Sequence, residues 1–125
     1  MISKGSMLEV ADNSGARVAK CIGVYNSKTC AGIKDMVLIS VVTLRKSKDI
    51  SDYKVEKGKT YKGIIIRTVS DFVKSDGSHV KFNKNSVVLL DKNSEDLLGT
   101  RVTGPILSDI ADKFPKIASL SMEII

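Results

Sequence analysis

Two nine-residue runs constrain this chain most: "MVLISVVTL" (36–44) and "YKGIIIRTV" (61–69) are dominated by β-branched residues and carry charge only toward their ends. Runs of that length and composition are strands set against a core. A third run, "VAKCIGVY" (18–25), alternates Val18, Lys20, Ile22 and Val24 with Ala19, Cys21, Gly23 and Tyr25. "MLEVA" (7–11), "HVKF" (79–82) and "SVVLL" (86–90) are shorter candidates. Turn chemistry separates them at Asn13-Ser14-Gly15, Ala31-Gly32, Lys57-Gly58, Ser75–Ser78 and Asn83-Lys84-Asn85. Short strands at regular spacing in 125 residues predict one mainly β domain, 1–125, closed as a small barrel, because closure removes exposed strand edges.

The last third changes character. "SEDLLG" (94–99) predicts a single helical turn with Ser94 as its cap and Gly99 as its stop. In "GPILSDIADKF" (104–114), Pro105 sits at a first-turn position and Ile106, Ile110 and Phe114 recur at helical spacing. The expectation is a short amphipathic helix against the barrel, ended by Pro115, within a C-terminal helical part of about 94–125.

Charge narrows the partners. The net charge is +6, and residues 17–84 carry 15 Lys/Arg against 6 Asp/Glu. A basic body points to nucleic acid or an anionic surface. No apolar run is long enough to span a bilayer, and "MISKGSMLEV" has no apolar signal region; the structured pattern is expected to begin by residue 7. The reading is a soluble protein acting where it is made, unless a presequence has already been removed, with no membrane partner. Two cysteines and one histidine cannot supply a four-ligand zinc set, and Cys21 reads as a core residue.

Catalytic readings fail on spacing. "GKT" (58–60) lacks the glycine a phosphate loop needs five residues before Gly58, where Tyr53 stands. His79 sits beside the Asp76-Gly77 turn with no serine marked as a nucleophile. The acids are scattered among lysines. The chain reads as a non-enzyme without cofactor or metal. A protein–protein adaptor and a nucleotide-acting barrel enzyme are the alternatives from other classes.

The segment "RKSKDISDYKVEKGKTYK" (45–62) holds seven Lys/Arg and three acids between two apolar strands. Those strands can continue outward as a projecting β-ribbon of about 45–62. Arg45, Lys46, Lys48, Lys54, Lys57, Lys59 and Lys62 are then candidates for neutralising phosphates. Tyr53 and Tyr61 are placed for stacking or for strand packing. At the start of the chain, Asn13-Ser14-Gly15 exposes backbone N–H groups, and Arg17 just beyond can grip a phosphate with two bonds. Lys20, Arg67 and Lys81 complete the candidate RNA-binding set.

Four spaced blocks resemble the L-fourteen family of large-subunit ribosomal proteins. They are "MLEVADNSGAR"; Gly63-Ile64-Ile65-Ile66 with Arg67, Asp76-Gly77, Phe82, Asn85 and Val88-Leu89; "NSEDLLGTRVTGPI" (93–106); and "KFPKIASLS" (113–121). The resemblance implies a five-stranded barrel with a projecting ribbon and a C-terminal helical part. It implies a structural component of the large ribosomal subunit, bound to large-subunit rRNA near the subunit interface and to neighbouring ribosomal proteins. It further implies a bridge to small-subunit rRNA and a docking surface for a ribosome-silencing factor that includes Thr100, Arg101 and Lys116. The chain departs from the bacterial pattern in its sparse basic loops, "SKTCAG" and "SDFVKS", and in a longer 45–57 stretch. Those departures and the Lys/Ile-rich composition fit an organellar, mitochondrial ribosome, with the bacterial cytoplasm and the plastid as alternatives.

Overall fold

The structure, a computed structural model, describes residues 2–25, 29–45, 54–74 and 76–125. In chain order the strands are β1 (Ile2–Ser3), β2 (Met7–Val10), β3 (Ala16–Val24), β4 (Cys30–Ala31), β5 (Met36–Leu44), β6 (Thr60–Arg67), β7 (Phe72–Val73), β8 (His79–Val80), β9 (Ser86–Leu90), β10 (Val102–Ile106) and β11 (Ser121–Ile124). Helices α1 (Ser108–Lys113) and α2 (Pro115–Leu120) lie between the last two. Strands β2, β3, β5, β6 and β9 close the expected five-stranded barrel. Every barrel pairing is antiparallel except the closure, where Glu9 and Val10 of β2 run parallel to Ser86 and Val87 of β9.

A barrel of five strands has a narrow interior, and the sequence supplies small residues where it must. Ala16, Ala19 and Cys21 of β3 face in beside Leu8, Val10, Val37, Ile39, Val41, Ile65, Val87 and Leu89, all buried. Gly63 of β6 stands opposite Val37 on one side and Leu89 on the other. A Cβ there would lie 2.6 Å from Val87 Cγ2, inside van der Waals contact. Cys21 is a buried free thiol, and Cys30 is also free.

The apolar run of β6 serves two cores. Ile65 points into the barrel, whereas Ile64 and Ile66 point outward and are also buried. Successive side chains of a strand alternate between faces, so an unbroken apolar run means both faces are covered. The outer cover is the C-terminal part: Val102, Ile106, Leu107, Ile110 and Ile117 pack with Ile64, Ile66, Val88 and Leu90. Each helix has six residues, too few for a stable isolated helix, so burial of Ile110 and Ile117 holds them in place.

Ile2 is fully buried and pairs with Ala31, which agrees with a structured pattern present by residue 7 and places a first strand ahead of Met7. Several expectations are corrected. Residues 94–99 form no helical turn. The Asp91 carboxylate accepts the Asn93 and Ser94 N–H groups, Glu95 takes φ +59°, and Leu97 bridges back to Leu90. Pro105 lies in β10, not in a helix, at the irregular register opposite β11 where no N–H is demanded of it. Ile106 and Ile110 do share one core, but one comes from a strand and the other from α1. Pro115 ends α1 and, with its fixed φ, also starts α2 at its first turn.

The described part of the ribbon segment folds back onto the barrel. Regular β5–β6 pairing stops at Ser40↔Thr60, Val55 is buried in the barrel core, and Gly58 N–H donates to Val41 O. Residues 46–53, and with them Lys46, Lys48 and Tyr53, lie outside the described residues.

Candidate nucleic-acid interface

Three of the four arginines border one stretch of surface. Arg17 opens β3, Arg45 follows β5, and both line a cleft of about 500 Å³ with Glu9, Lys84 and Asn85. A second cleft of about 470 Å³ shares Glu9 and Lys84 with the first and contains Arg67, Asn83, Ser86 and Thr103. The barrel closure brings them together. Asn85 O accepts the Glu9 N–H, so the loop before β9 lies against β2, and Lys84 Nζ is 3.2 Å from the Glu9 carboxylate.

Arg45 and Arg67 are aimed by backbone carbonyls. Arg45 Nη2 donates to Val10 O at 2.8 Å, and its main-chain N–H donates to Gly15 O. Arg67 Nη2 donates to Thr103 O at 2.9 Å. The Arg67 guanidinium lies over Gly104 (φ +80°), where any Cβ would overlap its Nη1. Burial lowers the Arg67 pKa from its ordinary value, opposed by the nearby Glu9 carboxylate. Its Nε is buried without a partner. An arginine stays charged through such a shift.

The remaining candidates are dispersed. Lys20 is exposed on β3, Lys81 is exposed ahead of β9, and Lys54, Lys57 and Lys59 are exposed on the segment that folds back. Lys59 pairs with Glu56 at 2.8 Å, both solvent-exposed, which is worth little in stability. Lys62 is drawn toward the C-terminal part: it pairs with Glu95 and stands 5.4 Å from the Tyr25 ring centroid. The hydrogen bond from Lys62 to Glu95 raises the lysine pKa. Tyr61 packs against the barrel core and its hydroxyl accepts the Glu56 N–H, so its ring is a packing element.

The opening turn works mainly inside the protein. Ser14 is fully buried and donates to Asp12 Oδ1 at 2.6 Å, so its side chain does not face a ligand. Asp12 is itself buried and also accepts the N–H groups of Ser14 and Leu89. Burial raises the Asp12 pKa, and these hydrogen bonds only partly offset it. Asn13 is exposed, yet its amide is spent on the C-terminal part. Its Oδ1 accepts the Thr100 N–H at 2.7 Å and the Arg101 N–H at 3.0 Å, while its Nδ2 donates to Thr100 Oγ1 at 2.8 Å. The turn's carbonyls hold the basic segment at its start and again midway, Gly15 O accepting the Arg45 N–H and Ser14 O the Lys54 N–H.

Thr100 and Arg101 are exposed on the stretch between Gly99 and β10. Lys116, on α2, lies 3.8 Å from the carboxylate of Asp96, which stands in the loop before β10. Lys84, Asn85 and Glu9 are not legible as site residues in the sequence: "NKN" signals only a turn, and nothing local says that this turn lies against β2. Among the described residues no group of His, Cys, Asp or Glu could hold a metal ion, and no helix is long and apolar enough to cross a membrane.

The family model described as Ribosomal protein L14p/L23e matches residues 1–125. The chain therefore belongs to that family of normally non-enzymatic ribosomal proteins and is a structural constituent of the large ribosomal subunit that binds its rRNA.

Proposed function

We propose that the adjoining clefts bearing Arg17, Arg45, Arg67 and Lys84 form the centre of the rRNA contact, with Lys20, Lys54, Lys57, Lys59 and Lys81 flanking it. The carrying observation is the convergence of three arginines and one lysine, from four separate chain segments, on two clefts that share Glu9 and Lys84. Guanidinium groups anchored by carbonyl oxygens, as in Arg45 and Arg67, are oriented before a phosphate arrives. Phosphate contacts of this kind fix the register of a protein on RNA. Asn13 and Ser14 contribute to this face through the shape of their turn. Lys62 belongs to the C-terminal side.

The whole chain acts as one RNA-binding domain, because β6 and β9 carry both cores. The stretch with Thr100 and Arg101, together with Lys116, is the surface for protein and bridge contacts: small-subunit rRNA at the subunit interface and a ribosome-silencing factor. The sparse basic loops support a mitochondrial ribosome as the protein's location.

The test is salt-dependent binding of the purified protein to large-subunit rRNA. Changing Arg17, Arg45 and Lys84 together to Gln should lower affinity and flatten the log–log salt slope by about 0.7–0.9 for each phosphate no longer neutralised. An unchanged slope with the fold intact would refute the cleft assignment.

A further inference from the structure

The Asn13 side chain ties down the exposed stretch beyond Gly99. Beyond Gly99 the chain runs beside the opening turn. Further along it is held by backbone contacts: Asp12 bridges to Val102, and Thr103 N–H donates to Ala11 O at 2.8 Å. Thr100 and Arg101 are held differently. Both of their N–H groups go to the one oxygen of the Asn13 amide, and the Thr100 hydroxyl receives its N–H. Gly99 makes the approach possible, since a Cβ there would lie 2.8 Å from Asp12 Cβ and 3.0 Å from Asn13 Oδ1. A side chain this exposed gains little stability from such bonds, because water can replace them. Their effect is on geometry: two consecutive exposed residues are held in one conformation.

We infer that Asn13 is a positioning residue for the contact surface at Thr100 and Arg101, presetting the direction in which the arginine leaves the chain. This rests on the reading of that stretch as an interface. An arginine whose backbone is already ordered loses less freedom when it docks, and so binds more tightly for the same contact. Asn13 thereby acts on the partner surface while lying in the turn next to the basic clefts.

Two measurements test it. In the purified full chain, Asn13→Ala should speed amide hydrogen exchange at Thr100 and Arg101 by about tenfold, the change expected when each gives up one hydrogen bond. The Thr103 amide, held by Ala11 O, should be unchanged. In large subunits carrying the variants, joined to purified small subunits and followed by sedimentation, Asn13→Ala should weaken joining several-fold, in the same direction as Arg101→Ala. Asn13→Asp, which keeps an oxygen toward both N–H groups and can accept the Thr100 hydroxyl proton, should stay close to wild type. If Arg101→Ala weakens joining and Asn13→Ala does not, the positioning role is wrong and the interface stands. If Arg101→Ala joins as wild type does, the interface reading fails and takes the inference with it. Equal exchange at Thr100, Arg101 and Thr103, or an Asp variant as impaired as the Ala variant, also overturns it.

Discussion

The barrel interior at Gly63 gives a prediction whose size follows from the geometry. Glycine is ordinarily a poor choice within a strand, costing about 0.5–1 kcal/mol relative to alanine. Gly63→Ala would regain that much, but its Cβ would lie 2.6 Å from Val87 Cγ2 and 3.4 Å from Val88 O. Carbon atoms prefer about 3.5–4.0 Å, so roughly 1 Å must be found in a fully buried site between two paired strands. Overpacking of this kind costs about 1–3 kcal/mol. The net expectation is a destabilisation of about 0.5–2 kcal/mol. Val87→Ala alone removes two buried methyl groups, about 1.6 kcal/mol of transfer free energy, and the cavity brings the cost to about 2–3 kcal/mol. In the double variant the new methyl occupies the space Val87 has vacated. The overlap disappears and the cavity is partly filled, so the pair should be about 1–2 kcal/mol more stable than the sum of the single changes. Urea denaturation of the four proteins, analysed at a common m value, measures this directly. A coupling below about 0.5 kcal/mol, or a Gly63→Ala protein more stable than wild type, would refute the packing argument.

Ile65→Ala and Ile64→Ala should each cost about 2–5 kcal/mol by thermal or urea unfolding, because one fills the barrel and the other the outer core; an unchanged midpoint for either removes that core. The raised pKa of Asp12 fixes the sign of one pH effect: above the unfolded value of 3.8 the folded state holds the proton more tightly. Its contribution to stability is therefore fully present below that pH and is lost as pH rises through the folded value. Asp12→Asn should remove this decline, read as the difference between the wild-type and variant urea profiles, because the lowered pKa values of Asp76 and Asp91 add an opposite slope to both; a difference that rises over the same window would contradict the assignment.

The strands are legible in the sequence because their signal is local. The run 36–44 coincides with β5, and β6 falls within two residues of the expected 61–69. What local pattern cannot carry is which distant segment lies opposite. The spacing of Ile106, Ile110 and Phe114 is genuine, but it reports a shared core and not a shared helix, since Ile106 reaches that core from β10. β11 has no signal of its own, because "SMEI" is mostly exposed and exists only by pairing with β10. The turn around Asn13 suggests an RNA contact, whereas its hydrogen-bond partners lie at the far end of the sequence. The basic clefts are hidden for the same reason: Arg17 and Arg45 meet across the β3–β5 pairing, Arg67 and Lys84 across β6–β9, and only barrel closure sets the two pairs side by side.

The parallel seam between β2 and β9 has a consequence for how the protein is made. Strands β3, β5 and β6 are each antiparallel to the barrel strand before, so that sheet can zip progressively from β2 as the chain leaves the ribosome that synthesises it. β2 is among the first segments to emerge, yet its second partner is β9, and Glu9 waits for Ser86. Until then the sheet has two open edges, the Leu8, Ile39 and Ile65 side chains lack the Val87 and Leu89 wall, and the outer core has no cover. Contacts of such long sequence separation slow folding and prolong exposure of unpaired strands. The nascent chain therefore stays sticky through most of its synthesis, and its closing event is late, abrupt and concentrated in the five residues of β9.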